Sequence, residues 1–346
     1  MPDPATGDFV VLGGLQAGRP VPDQWRLDDP SVPFWRRIRT AAVPRRLDAA
    51  TAFDAATGQV VMFGGGAEGT GATNETWVYQ DGTWQRVTPA ASPPAMFSAS
   101  LAYDPASRQL ILFGGLNSSF TYFDQTWAWT GDTWRKLSPA TSPPARSGAM
   151  MAYDPERGRL ILYGGIAFGI GPADATTTWQ WTGSTWQVLP SLLNPGPRAS
   201  AGLAYDPVKH ELVLFGGGIP DHGATDATWT LGNYGWLPAF PADKPRPETP
   251  VSMTTDGADQ AIMVFDGVDS ATSSRLVFAG DTWLYNGQNW RLVPQLYSPS
   301  PRGGALLAPL GGDRVLLAGG FTESQQLTDT WIYGRAAPAT PVQLGG

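Results

Sequence analysis

The feature that most constrains this chain is a short segment that keeps returning. Leu101-Ala102-Tyr103-Asp104-Pro105 recurs as Met151-Ala152-Tyr153-Asp154-Pro155 and as Leu203-Ala204-Tyr205-Asp206-Pro207, with Thr51-Ala52-Phe53-Asp54 as a weaker copy. Each copy is followed by an apolar run closing on two glycines: Val60 to Gly65, Leu110 to Gly115, Leu160 to Gly165 and Leu212 to Gly217. Val10-Val11-Leu12-Gly13-Gly14 and Val315 to Gly320 extend the series to both ends. In Ile262 to Gly267 an Asp replaces the first glycine.

Tryptophan marks the same period. One follows each doublet, at Trp25, Trp77, Trp127, Trp179, Trp229, Trp283 and Trp331, and a second follows at Trp84, Trp134, Trp186, Trp236 and Trp290. Trp35 fills that second role after a slightly longer turn. Thirteen of the 15 tryptophans are thus repeat positions, on a period of about 50 residues.

Each period reads as four short strands. Strand a carries small residues and ends in the Tyr-Asp-Pro turn; strand b is the continuous apolar run of a strand buried on both faces. Strand c carries Thr-Trp, and strand d the second Trp, joined by turns such as Thr130-Gly131-Asp132. Small residues suit strands that converge on an axis, and glycine at the end of strand b allows backbone angles and close approach that a Cβ would block. Trp129 and Trp181 occupy the slot held elsewhere by Tyr79, Tyr285 and Tyr333, which reads as packing between blades. The fold expected is all-β: a β-propeller of four-stranded antiparallel blades.

The glycine doublet, the spaced aromatic pair and an arginine opening strand a resemble kelch repeats, and the Ser-Pro-Pro-Ala-Arg linkers are most similar to bacterial kelch-repeat proteins. The resemblance covers essentially the whole chain. Seven doublets imply a seven-bladed kelch-type ring in one domain, residues 1–346, with blades near 1–40, 45–90, 95–140, 145–192, 197–240, 246–295 and 301–346. The first blade would lack most of its strand a. The tail segment Pro341-Val342-Gln343-Leu344 is expected to add a strand where the termini meet, because an unclosed ring would expose sheet edges.

Antiparallel order places the b–c and d–a loops on one face (the loop face) and the a–b and c–d turns on the other (the turn face). Variable loops on a rigid scaffold are the usual place for recognition. The loop face carries Phe120, Tyr122 and Phe123 in one b–c loop, Phe168 in the next, and Arg275 in the longest excursion, 268–281. The residue opening strand a lies at the channel mouth: Arg46, Met96, Arg146, Arg198, Glu248 and Arg302. In kelch adaptors similar arginines line the ligand pocket, which implies an acidic partner. The structural alternative is that they satisfy backbone carbonyls of a neighbouring blade.

Composition narrows the function classes. A net charge of −7 with 23 Lys plus Arg argues against a nucleic-acid surface. The cluster Arg36, Arg37, Arg39, Arg45, Arg46 reads as a solvated edge strand. With no cysteine, disulfides and cysteine nucleophiles are excluded, as is the Tyr–Cys cofactor of galactose oxidase chemistry. No apolar run has transmembrane length, and the opening Met1-Pro2-Asp3-Pro4 is not a signal peptide. The two histidines, His210 and His222, have no partner spacing that indicates a metal. Gly64-Gly65-Gly66-Ala67-Glu68-Gly69 leads into a strand, not the helix a dinucleotide site needs. No catalytic residue, metal or cofactor is therefore assigned.

The expected function is a non-catalytic module binding a protein or carbohydrate through the loop face and channel mouth. The family resemblance implies a secreted or cell-surface setting, with a cytoplasmic one left open. Two alternatives stand beside it. One is a propeller enzyme of sugar-isomerase or lyase type, which requires several acids converging at the mouth. The other is a structural subunit of a larger polypeptide or surface assembly.

Overall fold

A computed structural model of the chain describes residues 10–16, 19–26, 33–39, 43–67, 71–169, 171–220, 222–265, 267–269, 277–295 and 297–335. They form an all-β propeller of six four-stranded antiparallel blades. Blade 1 is Ala50–Asp54, Gln59–Phe63, Thr76–Gln80 and Thr83–Val87. Blade 2 is Ser100–Asp104, Gln109–Phe113, Thr126–Trp129 and Trp134–Leu137. Blade 3 is Ser147–Asp154, Arg159–Ile166, Thr178–Trp181 and Trp186–Leu189. Blade 4 is Gly202–Asp206, Glu211–Phe215, Thr228–Gly232 and Gly235–Ala239. Blade 5 is Ser252–Asp256, Ala261–Phe265, Thr282–Tyr285 and Trp290–Val293. The a strands lie side by side around the axis, with blade 6 returning to blade 1.

Blade 6 corrects the seven-blade expectation. Its strands a, b and c are Leu306–Pro309, Arg314–Ala318 and Thr330–Gly334, and its strand d is Phe34–Ile38, from the other end of the chain. Phe34 pairs with Gly334 and Ile38 with Thr330. Among the described residues the first glycine doublet builds no blade. Among them Val10–Gln16 pairs with Arg19–Arg26, as a separate two-stranded sheet with an irregularity between Leu12 and Gly14. The expected strand at 341–344 lies outside the described residues. Arg36 and Arg37 do sit on an outermost strand, Arg37 exposed.

One hydrogen bond repeats around the whole ring. Each strand-d tryptophan donates its indole N–H to the strand-c threonine of the preceding blade. The pairs are Trp134 to Thr76 (2.9 Å), Trp186 to Thr126 (3.0 Å), Trp236 to Thr178 (2.8 Å), Trp290 to Thr228 (3.1 Å), Trp35 to Thr282 (2.9 Å) and Trp84 to Thr330 (3.2 Å). The threonines are 0–3% exposed, so an unmade bond there would leave buried polar atoms bare. Aromatic packing reinforces the same joints. Phe63, Phe113, Tyr163, Phe215 and Phe265, at equivalent places in strand b, meet the next blade's tryptophan at 4.9–5.6 Å between ring centres. Trp129 and Trp181 are buried against Trp134 and Trp186 within their own blades, so they serve packing.

The a–b turns are fixed by buried aspartates. Asp54, Asp104, Asp154, Asp206 and Asp256 accept from the backbone N–H two residues on, at 2.8–3.1 Å. Blade 6 turns instead on Gly311 and Gly312, both at positive φ. The glycine doublets join blades. Gly115 has φ +102° and its N–H donates to the Arg146 carbonyl of the next blade at 2.9 Å, while a Cβ on Gly114 would stand 2.6 Å from that same oxygen. Only glycine fits there.

Candidate functional site

The residues expected to line the channel mouth are mostly built into the scaffold. Arg146 and Arg302 are 0% exposed and Arg198 is 3%. Each guanidinium donates to the carbonyl of the first doublet glycine of its own blade: Arg146 to Gly164 at 2.9 Å, Arg198 to Gly216 at 3.2 Å, Arg302 to Gly319 at 2.9 Å. Arg146 also donates to the Asp174 carbonyl at 3.1 Å, in the short helix Pro172–Thr176, and so ties down the b–c loop of blade 3. Burial lowers its pKa to about 10, only partly offset by Asp174, and it stays protonated at neutral pH. The backbone-satisfying role foreseen for these arginines is thus present, but within a blade rather than between blades.

Arg302 and Arg46 add a carboxylate. Arg302 grips both oxygens of Asp329 at 2.6 and 3.0 Å, and Asp329 accepts from the Trp331 indole at 2.7 Å. Burial alone would raise Asp329; the Arg302 hydrogen bond and charge, with the indole, leave it below the usual range. Arg46, Glu75 and Trp77 repeat this arrangement in blade 1. In blade 2, Met96 is a buried core residue and Gln125 takes the Trp127 indole at 3.0 Å. Glu248 is 1% exposed and inverts the pattern: its carboxylate accepts from the Gly267 N–H at 3.1 Å.

The mouth on the loop face is lined instead by residues two positions further on. Asp48, Ser98, Gly148, Ser200, Pro250 and Gly304 surround a cavity of about 190 Å³. Their backbones form a belt: Ser98 donates to Asp48, Gly148 to Ser98 and Ser200 to Gly148, each at 2.8 Å, and Val251 donates to Ser200 at 3.0 Å. Asp48, Ser98 and Ser200 adopt φ near +53°, an uncommon conformation for residues with a Cβ. Among the described residues Asp48 is the one charged side chain lining this cavity. It is exposed to solvent, yet the protein around the mouth takes away part of its hydration and raises its carboxyl pKa. A constant offset from the arginines could have revealed this ring in the sequence.

Around the mouth, the loops form a second tier of pairing. Isolated bridges join Leu47 to Gly66, Phe97 to Leu116, Ala199 to Gly218 and Gly303 to Phe321, each tying a d–a connection to a b–c loop. Phe120 is 72% exposed at φ +58° on a turn locked by Asn117, whose side chain accepts from Ser119 and Thr121 at 3.0 and 2.9 Å. Ser118 of that loop accepts from Ala72 of blade 1 at 2.8 Å, so the loops brace one another. Tyr122 and Phe123 are half-buried, Phe123 against the core between blades 1 and 2. Phe168 on blade 3 is 92% exposed. The excursion of blade 5 pairs Val268–Asp269 with Val277–Phe278, and Phe278 packs edge-on against Phe321. Arg275 lies outside the described residues.

His210 lies on the turn face, beside Tyr205 and Glu156, and Asp226 near His222 is paired with Lys244 at 2.9 Å. Among the described residues no three His, Asp or Glu side chains are grouped to hold a metal ion, and no helix is long and apolar enough to cross a membrane.

No protein-family model matches the chain, and no curated protein matches it. Solved structures do. The chain is similar to the protein described as "Structure of YjhT", with a TM-score of 0.67 and 16% identity, over 84% of this chain and 95% of that one. At that identity the likeness concerns the fold.

Proposed function

We propose that this chain is a kelch-type, non-catalytic binding module that recognises a protein or glycan through its loop face. The observation that carries the reading is the pair Phe120 and Phe168. Two largely exposed aromatic rings stand on b–c loops of adjacent blades, and at least one is held outward by a rigid turn. Aromatic side chains on stiff loops give contact area at low cost in conformational entropy, as binding anchors require. The kelch assignment rests on the glycine doublets, the paired aromatics and the arginines of strand a. The arginines themselves support the loops and leave the contact to other residues.

An isomerase or lyase centre would draw on several acids at the mouth. Among the described residues lining the cavity there, Asp48 is the one acid, which favours binding over chemistry. A cell-surface setting is proposed with it, on the resemblance of the repeats.

The test is a paired screen of the purified protein on a glycan array and on a displayed peptide library. Phe120→Ala and Phe168→Ala should each weaken at least one of the ligands found by about tenfold or more, and the double variant should abolish its binding, with the melting temperature unchanged. The loop face is refuted as the recognition surface if every ligand found binds the double variant as tightly as the parent.

A further inference from the structure

The channel's turn-face end holds a larger cavity than its loop-face mouth. At the far end of the channel a cavity of about 330 Å³ opens between the a–b turns. Its volume is within the range of small-molecule sites. The residue before each turn Asp, and its counterpart in blade 6, lines it: Phe53, Tyr103, Tyr153, Tyr205, Thr255 and Pro309. The arrangement is lopsided. Four successive blades contribute half-buried aromatic rings, and the remaining two contribute a hydroxyl and a proline.

Among the described residues no charged side chain lines the cavity. An ionic ligand would leave water there without a counter-charge, which is costly. What the walls do offer is aromatic rings beside hydroxyl groups. The phenols of Tyr103 and Tyr153 make no hydrogen bond to the described residues, so their donors and acceptors remain for a ligand. Tyr205 is held differently: its phenol donates to Glu156 at 3.1 Å and lies 3.0 Å from Nδ1 of His210, itself 3.2 Å from Glu156. That cluster fixes the fourth ring from the rim, outside the cavity lining. Thr255 is fixed likewise, donating to the Tyr205 carbonyl at 2.7 Å.

We propose that this turn-face mouth is a second ligand site, independent of the loop face, and that it takes a neutral sugar. A pyranose presents an apolar C–H face to stack on an aromatic arc and hydroxyls around its edge for the Tyr103 and Tyr153 phenols. The opposite side, at Thr255 and Pro309, leaves room for the ring to enter without a second stacking partner.

The experiment uses the full chain and methyl glycosides of glucose, galactose and mannose, with glucuronic and galacturonic acids as charged counterparts and indole as a planar aromatic control. Saturation-transfer NMR and titration calorimetry read the binding. At least one neutral glycoside should bind, and the uronic acids should bind about tenfold more weakly or not at all. Tyr103→Ala and Tyr153→Ala should each weaken the glycoside about tenfold. If those variants lose the fold, Tyr103→Phe and Tyr153→Phe keep the rings and should cost about threefold to tenfold through the lost hydroxyl. Phe120→Ala and Phe168→Ala should leave glycoside binding unchanged, which separates this site from the loop face. The proposal is overturned if no neutral glycoside binds, if the charged sugars or indole bind more tightly, or if binding ignores the tyrosines.

Discussion

The indole N–H of Trp35 donates to Oγ1 of Thr282 at 2.9 Å, across 247 residues of chain. It is one of six such bonds, and with Trp84 to Thr330 it joins the blade that the two ends of the chain build together to both its neighbours. Thr282→Val keeps the shape and removes the acceptor, leaving a buried indole N–H bare. It should cost about 1–3 kcal/mol in denaturant unfolding. Trp35→Phe combined with Thr282→Val should cost less than the sum of the two single changes, because no donor is then stranded. Additive costs would show that the bond contributes nothing.

The ion pair of Arg302 with Asp329 has a natural counterpart in blade 2, where Met96 and Gln125 occupy the same places. Arg302→Met alone leaves Asp329 partly buried without its cation and should destabilise by about 3 kcal/mol or more. Arg302→Met with Asp329→Gln rebuilds the blade 2 chemistry and should recover most of that loss, since Gln can still accept from the Trp331 indole. A double variant as unstable as the single one would contradict this.

Asp256 gives a pH dependence of definite sign. Burial raises its pKa from 3.8 to about 6, against the opposing hydrogen bonds of its turn and the charge of Arg335, with Asp259 pushing the same way as burial. Between those pH values the folded protein keeps a proton that the unfolded chain has released, so this group's contribution to stability falls as pH rises through that window. Asp256→Asn retains the acceptor for Ala258 and cannot ionise. It should melt higher than the parent at pH 7, by about 1–3 kcal/mol, and match it near pH 3.5. An equal difference at both pH values would contradict the assignment.

Glycine in the doublets can be separated from glycine in the turns. Gly114 and Gly58 have nearly the same φ, +75° and +74°, but a Cβ at Gly114 meets the Arg146 carbonyl at 2.6 Å, and one at Gly58 meets nothing within 4 Å. Gly58→Ala should cost about 1 kcal/mol from backbone strain alone. Gly114→Ala should cost several times more, measured by thermal unfolding, because the neighbouring blade must move.

The blade itself is legible in sequence because its requirements are local. Tyr-Asp-Pro turns, apolar b strands and doublet glycines all follow from contacts within a period or with the next one. Blade number is not legible in the same way. Val10–Gly14 and Trp25 carry the marks of a repeat, yet among the described residues they pair with each other in a single two-stranded hairpin. Trp35 looks like the outer tryptophan of a first blade and is instead that of the last, since pairing of Arg36 with Ile332 depends on closure of the ring. The candidate sites divide similarly. Exposed Phe120 and Phe168 are readable as loop residues. The arginines conceal their burial, because the carbonyls they serve belong to glycines some 18 residues away. The lining residues Asp48, Ser98 and Tyr103 stand at fixed offsets whose direction only the converging strands define.

Hydrogen exchange read by mass spectrometry tests the closure most directly. With Phe34–Ile38 as the outer strand of the sixth blade, the amides of that segment that face Thr330–Gly334 should be protected nearly as long as those of Trp134–Leu137, the equivalent strand of blade 2. Full exchange of 34–38 within seconds, while the outer strands of the other blades stay protected, would contradict a ring of six blades closed by the N-terminal segment.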